Sequence, residues 1–308
     1  MTEYTGPVID AHHHVWRPSE GRQPWLRPGV RIPFRYGDYE SIKRDWLPPD
    51  LRRDAAGLDL VGSVSMETEW EDDDPVGEMV WTAAVSAEHG LPTASVAHAL
   101  LDDPEVESVL EQLGAMPLVR SVRHKPGGAA DPASVSADPG LLADPQWQRG
   151  FSLLHRYGLD FDLQVPWWHL PEAARLAARH PETTIIVNHA GLPADRSTEG
   201  LAGWREAIRV IARQDNVVLK VSGIGVPGER WTAELNRGIV ADAAEAFGAD
   251  RIMFASNFPV DSLVATYQEI YRGFLAITRD WSPSEQSAAF AANAVRTYRL
   301  PATLLDPA

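Results

Sequence analysis

The sequence lacks cysteine altogether, so disulfide bonds and thiolate metal sites are excluded. Its 308 residues include only three lysines, and 43 acidic residues against 28 basic ones give a formal net charge of -15. A surface of this charge disfavours nucleic acid and acidic membranes as partners. No apolar run reaches the roughly 18 residues that a membrane-spanning helix needs. The N-terminal residues lack the basic and apolar pattern of a secretory signal, so a cytoplasmic protein is expected.

Strand and helix patterns alternate along the chain. Eight short apolar segments rich in β-branched residues are predicted strands, at residues 7–15, 60–66, 93–97, 118–123, 159–165, 184–189, 217–221 and 251–255. Helical patterns occupy residues 74–88, 104–113, 145–157, 171–180, 200–214, 231–247, 262–279 and 282–298. No Gly-x-Gly-x-x-Gly follows the first strand, which argues against a dinucleotide-binding fold. The pattern predicts an α/β protein, a (β/α)8 TIM barrel in a single domain over residues 1–308.

A long segment without a regular pattern follows the first strand and runs to about Leu58. It is rich in proline, arginine and tryptophan, and a loop of this length in a compact chain is usually functional or disordered. Its aromatic side chains, among them Trp16, Trp25 and Trp46, argue against disorder. We predict that this long β1–α1 loop covers the mouth of a pocket. The alternative, that the tryptophans only plug one end of the barrel, stays open at this point.

The first strand carries three consecutive histidines, His12 to His14. Strict alternation along a strand predicts that Asp10, His12 and His14 share one face, with His13 on the other. Two imidazoles on one side of a strand end offer either two metal ligands or two groups that exchange protons near neutral pH. For any single histidine, a buried and hydrogen-bonded core residue is the alternative.

In a (β/α)8 barrel the chemistry is carried by residues at the carboxyl ends of the strands. Seven of the ten histidines lie at or just past predicted strand ends, namely His12, His13, His14, His98, His124, His169 and His189. Core packing alone would not distribute histidines in this way. Further polar residues at these ends are Glu67, Glu69, Arg123, Gln164, Asn188, Lys220, Ser222, Ser256 and Asn257, with Asp261 slightly beyond.

Charged residues within strands need partners, because an unpaired buried charge is costly. We predict that Arg123 faces the lumen and holds an anionic group of a substrate, with His124 pointing outward. Lys220 is predicted to bind the substrate in the same way, with a salt bridge to a neighbouring carboxylate as the alternative. Glu67 is a predicted substrate contact; it shares a strand face with Glu69, and one of the two is expected to pair with Arg123 or Lys220.

The end of the fifth predicted strand supplies Gln164 and, shortly after it, Trp167 and Trp168. The glutamine is a predicted substrate contact. The two indoles are predicted to form a wall of the pocket, since large aromatic side chains dominate the surfaces that bind small molecules.

The motif Asp10-Ala11-His12-His13-His14-Val15-Trp16 resembles the first-strand signature of the amidohydrolase superfamily. The likeness continues in Glu67 to Glu78, Val122-Arg123-His124, Asn188-His189-Ala190-Gly191, Leu219 to Gly223 and Met253 to Pro259. Together the motifs resemble the lactonase branch, which includes L-fuconolactonase, L-rhamnonolactonase and 2-pyrone-4,6-dicarboxylate lactonase. The resemblance covers nearly the whole chain. It implies a TIM barrel that hydrolyses the lactone of a sugar acid or a ring-cleavage acid.

Two positions depart from the family pattern. The fifth strand carries Gln164 where fully metallated members have histidine, and Asn257 stands where the family has the aspartate of a Ser-Asp-x-Pro motif. That aspartate serves as general base and metal ligand, whereas asparagine is neutral and binds divalent ions poorly. We therefore predict either no cofactor or one weakly held Zn2+, bound by His12, His14 and His189 with water as the fourth ligand.

The leading hypothesis is a hydrolase that opens a lactone of a carboxylated small molecule. In it His12, His14 and His189 polarise the carbonyl, Asn257 positions the water, and Asp261 or a histidine accepts the proton. A non-hydrolytic isomerase, decarboxylase or cyclase on the same site is the first alternative, and Asn257 favours it. A ligand-binding pseudoenzyme is the second. The expected partner is an anionic small molecule, and the oligomeric state, including a homo-oligomer, stays open.

Overall fold

The structure, a computed structural model, describes residues 4–71 and 74–306. Eight parallel strands form one sheet in chain order. The strands are β1 (Val8–His13), β2 (Leu60–Met66), β3 (Ala94–His98), β4 (Val119–Arg123), β5 (Asp160–Leu163), β6 (Ile185–Val187), β7 (Val217–Val221) and β8 (Ile252–Phe254). The helices are α1 (Pro48–Asp54), α2 (Pro75–His89), α3 (Val106–Gly114), α4 (Pro145–Leu153), α5 (Leu170–Arg179), α6 (Thr198–Ile211), α7 (Ala233–Phe247), α8 (Tyr267–Ile277), α9 (Pro283–Ser287) and α10 (Asn293–Thr297). Asp72 and Asp73, which belong to the second family motif, lie outside the described residues.

Two backbone hydrogen bonds close the sheet into a barrel. The amide of Asn257 donates to the carbonyl of His12 over 2.8 Å, and the amide of His14 donates to the carbonyl of Phe258 over 2.7 Å. Both bonds join the end of β1 to the segment after β8. The predicted (β/α)8 TIM barrel is therefore confirmed. Within residues 4–71 and 74–306, no helix combines the length and the apolar character that crossing a membrane requires.

Two of the predicted helices differ from the observed ones near the C-terminus. The helix predicted from residue 262 begins only at Tyr267, because Thr266 and Glu269 form a capping box there. The helix predicted at residues 282–298 is interrupted by a π-helical turn, Ala288–Ala292, between α9 and α10. The predicted elements lie where the sequence places them, with differences at their boundaries. Helix α1 was not predicted, because it lies in the segment that was expected to lack a regular pattern up to about Leu58.

The lower part of the barrel lumen is filled by a small apolar core. Inward-facing strand residues such as Val64, Val96 and Ile186 pack there against the C-terminal residues Ala294 and Tyr298. A second and larger core lies between the strands and the surrounding helices. Because the amino-terminal half of the lumen is packed, free space is left only toward the carboxyl ends of the strands.

A β-bulge interrupts the alternation of β1. Asp10 pairs with Ser63 and His13 pairs with Ser65, so two residues of β1 stand opposite the single residue between those partners on β2. A bulge of this kind places one extra residue in a strand and changes which face the following side chains occupy. Strict alternation therefore does not hold across this segment.

The prediction that Asp10 shares a face with His12 and His14 is wrong as a result. The carboxylate of Asp10 accepts hydrogen bonds from the hydroxyl of Ser256 over 2.6 Å and from that of Tyr267, in α8, over 3.2 Å. It thus contacts the helix layer. The two imidazoles remain together, with their ring centres 5.5 Å apart.

The segment between β1 and α1, residues 14–47, is the cover loop. Its two ends are joined by backbone hydrogen bonds between Trp16 and Trp46, over 3.0 and 2.9 Å. Nε1 of Trp25 donates to the carbonyl of Thr68 after β2 over 2.8 Å. Aromatic stacking of Trp25 on Phe34, with ring centres 5.7 Å apart, orders the middle of the loop. The cover loop is thus held against the strand ends.

Candidate active site

A cavity of about 250 Å³ opens at the carboxyl ends of the strands. Six of the predicted site residues line it, namely His14, Glu67, Arg123, Gln164, His189 and Asn257. The cover loop supplies the opposite wall through Trp16, Trp25, Ile32, Pro33, Phe34 and Arg35. The prediction that this loop covers the mouth of a pocket is therefore confirmed. The volume suits a small ring compound with a few substituents.

Three histidines meet at the floor of the cavity, as their positions at strand ends predict. The ring centre of His12 lies 4.5 Å from that of His189 and 5.5 Å from that of His14. His12 is completely buried beneath the other two, which line the cavity directly. A ligand that enters the cavity therefore meets His14 and His189 first.

All three imidazoles are held in the neutral form. Burial and the neighbouring ring of His189 lower the pKa of His12 well below its ordinary value. Burial and the charge of Arg123 lower the pKa of His14 to about 3. Burial and the charge of Arg35 lower the pKa of His189 well below its ordinary value. A neutral imidazole can donate one hydrogen bond and accept another, and among the described residues both ring nitrogens of His12 have no partner.

Unusual backbone conformations are concentrated around these histidines. Among the described residues, five of the six non-glycine residues with positive φ follow strands at the cavity, namely Glu69, His189, Ala190, Leu192 and Asn257. Each such conformation costs on the order of 1–3 kcal/mol and persists where the surrounding structure demands it. The ring of His189 also needs a glycine beside it, because a Cβ on Gly223 would lie 2.5 Å from its Nδ1. Nδ1 of His189 is 3.0 Å from the hydroxyl of Ser222, which orients the ring.

Asn257 and Asp261 are in direct contact, although only Asn257 lines the cavity. Nδ2 of Asn257 donates to Oδ1 of Asp261 over 2.6 Å, and the hydroxyl of Tyr36 in the cover loop donates to the same oxygen over 3.1 Å. Burial raises the pKa of Asp261 to about 6, against the opposing charge of Arg35. A carboxylate that titrates near neutral pH can take up a proton there, which the amide of Asn257 cannot.

Arg123 faces the cavity and His124 points outward into the helix layer, as predicted. Nε of Arg123 donates to Oε1 of Glu67 over 2.6 Å, and its NH1 group donates to Oε1 of Gln164 over 2.9 Å. Burial by itself raises the pKa of Glu67, but the charge of Arg123 outweighs it and holds the pKa below its ordinary value. The pairing of Glu67 with Arg123 is therefore confirmed, and the charge of Arg123 is balanced by the protein itself.

Lys220 lies below the cavity and does not line it, contrary to the prediction that it binds the substrate. Its Nζ is 2.7 Å from Oδ1 of Asp162, and both side chains are fully buried. Asp162 also accepts hydrogen bonds from Asn188 over 2.8 Å and from Tyr298 over 3.1 Å. The salt bridge that stood as the alternative is the arrangement found, because Tyr298 closes the lumen at this depth.

Trp167 and Trp168 do not form the predicted wall of the cavity. The ring of Trp167 packs on Gly203 in α6, where a Cβ would lie 2.4 Å from the indole. Nε1 of Trp168 donates to the carbonyl of Ala129 over 2.9 Å. A 3-10 turn, Trp167–His169, follows β5 and directs Trp167 against α6 and Trp168 toward the loop after β4. The aromatic wall comes from the cover loop instead.

The cover loop also contributes residues that sequence reasoning did not single out. Arg35 lines the cavity, and its guanidinium donates to the carbonyls of Gly223 and Gly225 in the loop after β7. Outside the cover loop, Lys125 after β4 was not singled out either, and it forms an ion pair with Glu69 at the rim of the cavity. The signal in the sequence was only the abundance of arginine in this segment, which does not show which arginine turns inward.

The three predicted metal ligands do not fit a tightly held Zn2+. No three histidine, aspartate or glutamate side chains in residues 4–71 and 74–306 are arranged around one point as metal ligands. Asn257 brings no carboxylate, and its amide nitrogen is engaged by Asp261. A zinc site needs at least three protein ligands around one point, and the described residues do not provide them.

Comparison with known proteins agrees with this architecture. The family model described as amidohydrolase matches residues 9–300. An uncharacterised protein, y4mH, of Sinorhizobium fredii is 37% identical over 294 residues, covering 95% of this chain and 98% of its own. An L-fucono-1,5-lactonase of Burkholderia multivorans is 30% identical over 310 residues, with 95% and 96% covered.

Among solved structures, an amidohydrolase from Burkholderia multivorans with bound zinc superposes with a TM-score of 0.80 at 26% identity, covering 96% of this chain and 100% of that one. A 2,6-dihydroxybenzoate decarboxylase from Rhizobium reaches a TM-score of 0.60 at 15% identity, which shows the shared fold alone. Because the family model spans nearly the entire barrel and the strand-end histidines occupy its cavity, the chain belongs to the amidohydrolase family.

Proposed function

We propose that this protein hydrolyses a lactone of a carboxylated small molecule and releases the open hydroxy acid. The observation that carries the proposal is the convergence of three neutral imidazoles, from His12, His14 and His189, beside Asn257 and Asp261. The 30% identity to an L-fucono-1,5-lactonase supports ring opening as the reaction class. The cavity of about 250 Å³ is compatible with a single small ring.

The residues divide the reaction between them. Neutral His14 donates a hydrogen bond to the lactone carbonyl and stabilises the negative charge that develops on its oxygen. Nδ1 of His189 is engaged by Ser222, so the other ring nitrogen of His189 either donates to the same carbonyl or accepts a proton. Asn257 positions a water molecule, whose oxygen attacks the carbonyl carbon. Asp261 or His189 takes a proton from that water and returns it to the ring oxygen as the bond between the carbonyl carbon and the ring oxygen breaks, and the carboxylic acid that forms releases its own proton to solvent. The products are one carboxylate and one hydroxyl on the same molecule.

A panel of five- and six-membered lactones, with and without a carboxylate substituent, tests the reaction class. Ring opening is followed by acid release, and mass spectrometry checks that the product has gained one water. His189→Gln serves as the inactive control, because its amide cannot accept the proton. Acid release by the native protein that does not exceed that of His189→Gln on any lactone would contradict the proposal.

A non-hydrolytic reaction is the second candidate, and Asn257 is the observation that favours it. A neutral amide at the end of β8 cannot deprotonate water, but it can hold an enolate or phenolate oxygen by a hydrogen bond. The same mass measurement separates the two candidates. Isomerisation leaves the mass unchanged and decarboxylation removes carbon dioxide, whereas hydrolysis adds water.

A further inference from the structure

The charges around the cavity do not balance. Among the residues that the structure describes, five strongly acidic or basic side chains line it, namely Arg35, Glu67, Glu69, Arg123 and Lys125. Three of them are cations and two are anions, while the histidines of the cavity are neutral. The cavity therefore carries one excess positive charge within a chain whose formal net charge is -15.

The ion pairs among these side chains show which of the three cations has no acidic partner. Arg123 is bound to Glu67 over 2.6 Å, and Lys125 is bound to Glu69. Arg35 forms no ion pair with any acidic residue that the structure describes. Two of its nitrogens donate to the carbonyls in the loop after β7, and its Nε is buried with no hydrogen-bond partner in the described residues.

The surroundings of Arg35 do not compensate its charge. Asp261 does not line the cavity, but it is close enough for Arg35 to influence its pKa, and its Oδ1 accepts hydrogen bonds from Asn257 and Tyr36 and not from Arg35. Its negative charge, when it is ionised, is offset by a further cation beside Arg35. A second guanidinium, Arg196, lies on the same side of the cavity, and burial together with repulsion by Arg35 lowers its pKa to about 10. Arg196 donates to a backbone carbonyl and to an amide oxygen, and it brings no negative charge.

We propose that Arg35 is the specificity-determining residue of the site and that it binds the carboxylate of a singly charged lactone. The inference rests on the proposed function in taking the substrate to be a lactone. It adds which residue binds the carboxylate of that lactone. Arg123 and Lys220, the two residues that the sequence suggested for this role, are both already neutralised. A substrate with one negative charge would leave the cavity neutral.

The position of Arg35 suits this role. It comes from the cover loop and lines the same cavity as His14 and His189, so one small molecule can place its carboxylate at Arg35 and its ring carbonyl at the histidines. Its neighbours in sequence are fixed, since Phe34 stacks on Trp25 and Tyr36 binds Asp261. In barrels, a loop commonly binds the substituent of the substrate, while rigidly held groups at the strand ends carry out the reaction.

Two unreactive lactams provide the test. Pyroglutamate is a five-membered lactam that carries a carboxylate, and pyroglutamide has the same ring with a neutral carboxamide. Binding of each to the full chain is measured by calorimetry, without any hydrolysis. We expect the native protein to prefer the carboxylate by about 10- to 100-fold, as a charge-assisted hydrogen bond predicts. Arg35→Met should remove this preference and leave the affinity for the carboxamide within about threefold.

The matched control is Arg31→Met, which makes the same change at an exposed position of the same loop that does not line the cavity. It should keep the full preference. A native protein that does not bind the carboxylate more tightly than the carboxamide overturns the inference, as does a preference that survives Arg35→Met. If Arg35→Met does not fold, Arg35→Lys decides: it keeps the charge and should retain a preference, and equal affinities would overturn the inference.

The two proposals fail separately in this design. A carboxylate preference that depends on Arg35, combined with no ring opening on the lactone panel, refutes the hydrolase but supports the anion site. Ring opening of neutral and charged lactones at equal rates, with equal lactam affinities, refutes the anion site but supports the hydrolase.

Discussion

Two layers of buried polar side chains occupy the barrel, and they differ in how completely they are paired. The lower layer consists of Asp162, Asn188, Lys220 and Tyr298, and in it the carboxylate of Asp162 accepts hydrogen bonds from all three others. The upper layer consists of His12, His14, His189 and Asn257. There, both ring nitrogens of His12 and Nδ1 of His14 lack partners among the described residues.

The difference separates a structural network from a site. Polar groups in a protein interior are nearly always hydrogen-bonded, so buried nitrogens without partners indicate a place for a ligand or for water. In the lower layer the two charges cancel and only Oδ1 of Asn188 lacks a partner among the described residues, which makes this layer part of the scaffold. The upper layer is open to the cavity, neutral and surrounded by strained backbone, which are properties of a reacting site. Histidine and lysine at strand ends looked alike in the sequence, and depth in the barrel distinguishes them.

The largest effect is expected for His189→Gln in the upper layer. Removal of an imidazole that donates to the carbonyl or accepts the proton should lower kcat/KM about 10²–10⁴-fold on the lactone that the panel identifies. The matched control is His124→Gln, which changes an outward-facing histidine that accepts hydrogen bonds from Leu101 and Trp147. Its main effect should be on the free energy of unfolding, by about 1–3 kcal/mol, because buried donors lose their acceptor. An equal loss of activity in both variants would show that the histidines of the cavity and the outward-facing His124 do not differ in their importance for the reaction.

Lys220→Met should give the largest loss of stability. It leaves the carboxylate of Asp162 buried without its cation, which costs about 3–5 kcal/mol in the free energy of unfolding measured by denaturant titration. The double variant with Asp162→Asn should recover part of this loss, since no charge is then buried alone. As a reference, Arg209→Met breaks an exposed ion pair with Glu245 and should cost about 0–1 kcal/mol. A small loss for Lys220→Met would show that the lower layer is not a closed network.

The acid limb of the pH profile should report Asp261. Burial raises its pKa to about 6, so the ionised form that accepts a proton is lost as the pH falls through 6. We expect kcat/KM to fall about tenfold per pH unit below that point and to be constant above it. In Asp261→Asn this limb should disappear together with most of the activity. An unchanged profile in the variant would assign the proton acceptor to His189.

The smallest effect is expected for metal binding. The native protein, purified without added metal, should contain well under one equivalent by elemental analysis, because three imidazoles without an aspartate are a weak site. Asn257→Asp puts a second carboxylate 2.6 Å from Oδ1 of Asp261, and the repulsion of the two charges favours a cation. Zn2+ should therefore raise the Tm of Asn257→Asp more than that of the native protein. A full equivalent in the native protein that resists chelators would refute the prediction of a weak site.

Predictions that depend on local pattern were confirmed except for the face of Asp10, and those that depend on distant neighbours were mixed. The convergence of His12, His14 and His189 follows from their places at strand ends, because barrel closure brings such ends together. The inward Arg123 and outward His124 follow from alternation, which is intact in β4. Asp10 was assigned to the wrong face because one inserted residue reverses alternation, and a bulge has no reliable sequence signal.

The sequence by itself determined the order of the barrel elements, the residues at each strand end and the replacement of a carboxylate by Asn257. These follow from periodicity and residue type, which are local properties. Only the tertiary structure decided which charges cancel: Arg123 with Glu67 across 56 positions, Lys220 with Asp162 across 58, and Arg35 with no acid among the described residues. Such pairings depend on which side chains meet when the strands pack, and contact between residues so far apart in sequence is fixed by the closed barrel and not by the segments that form it.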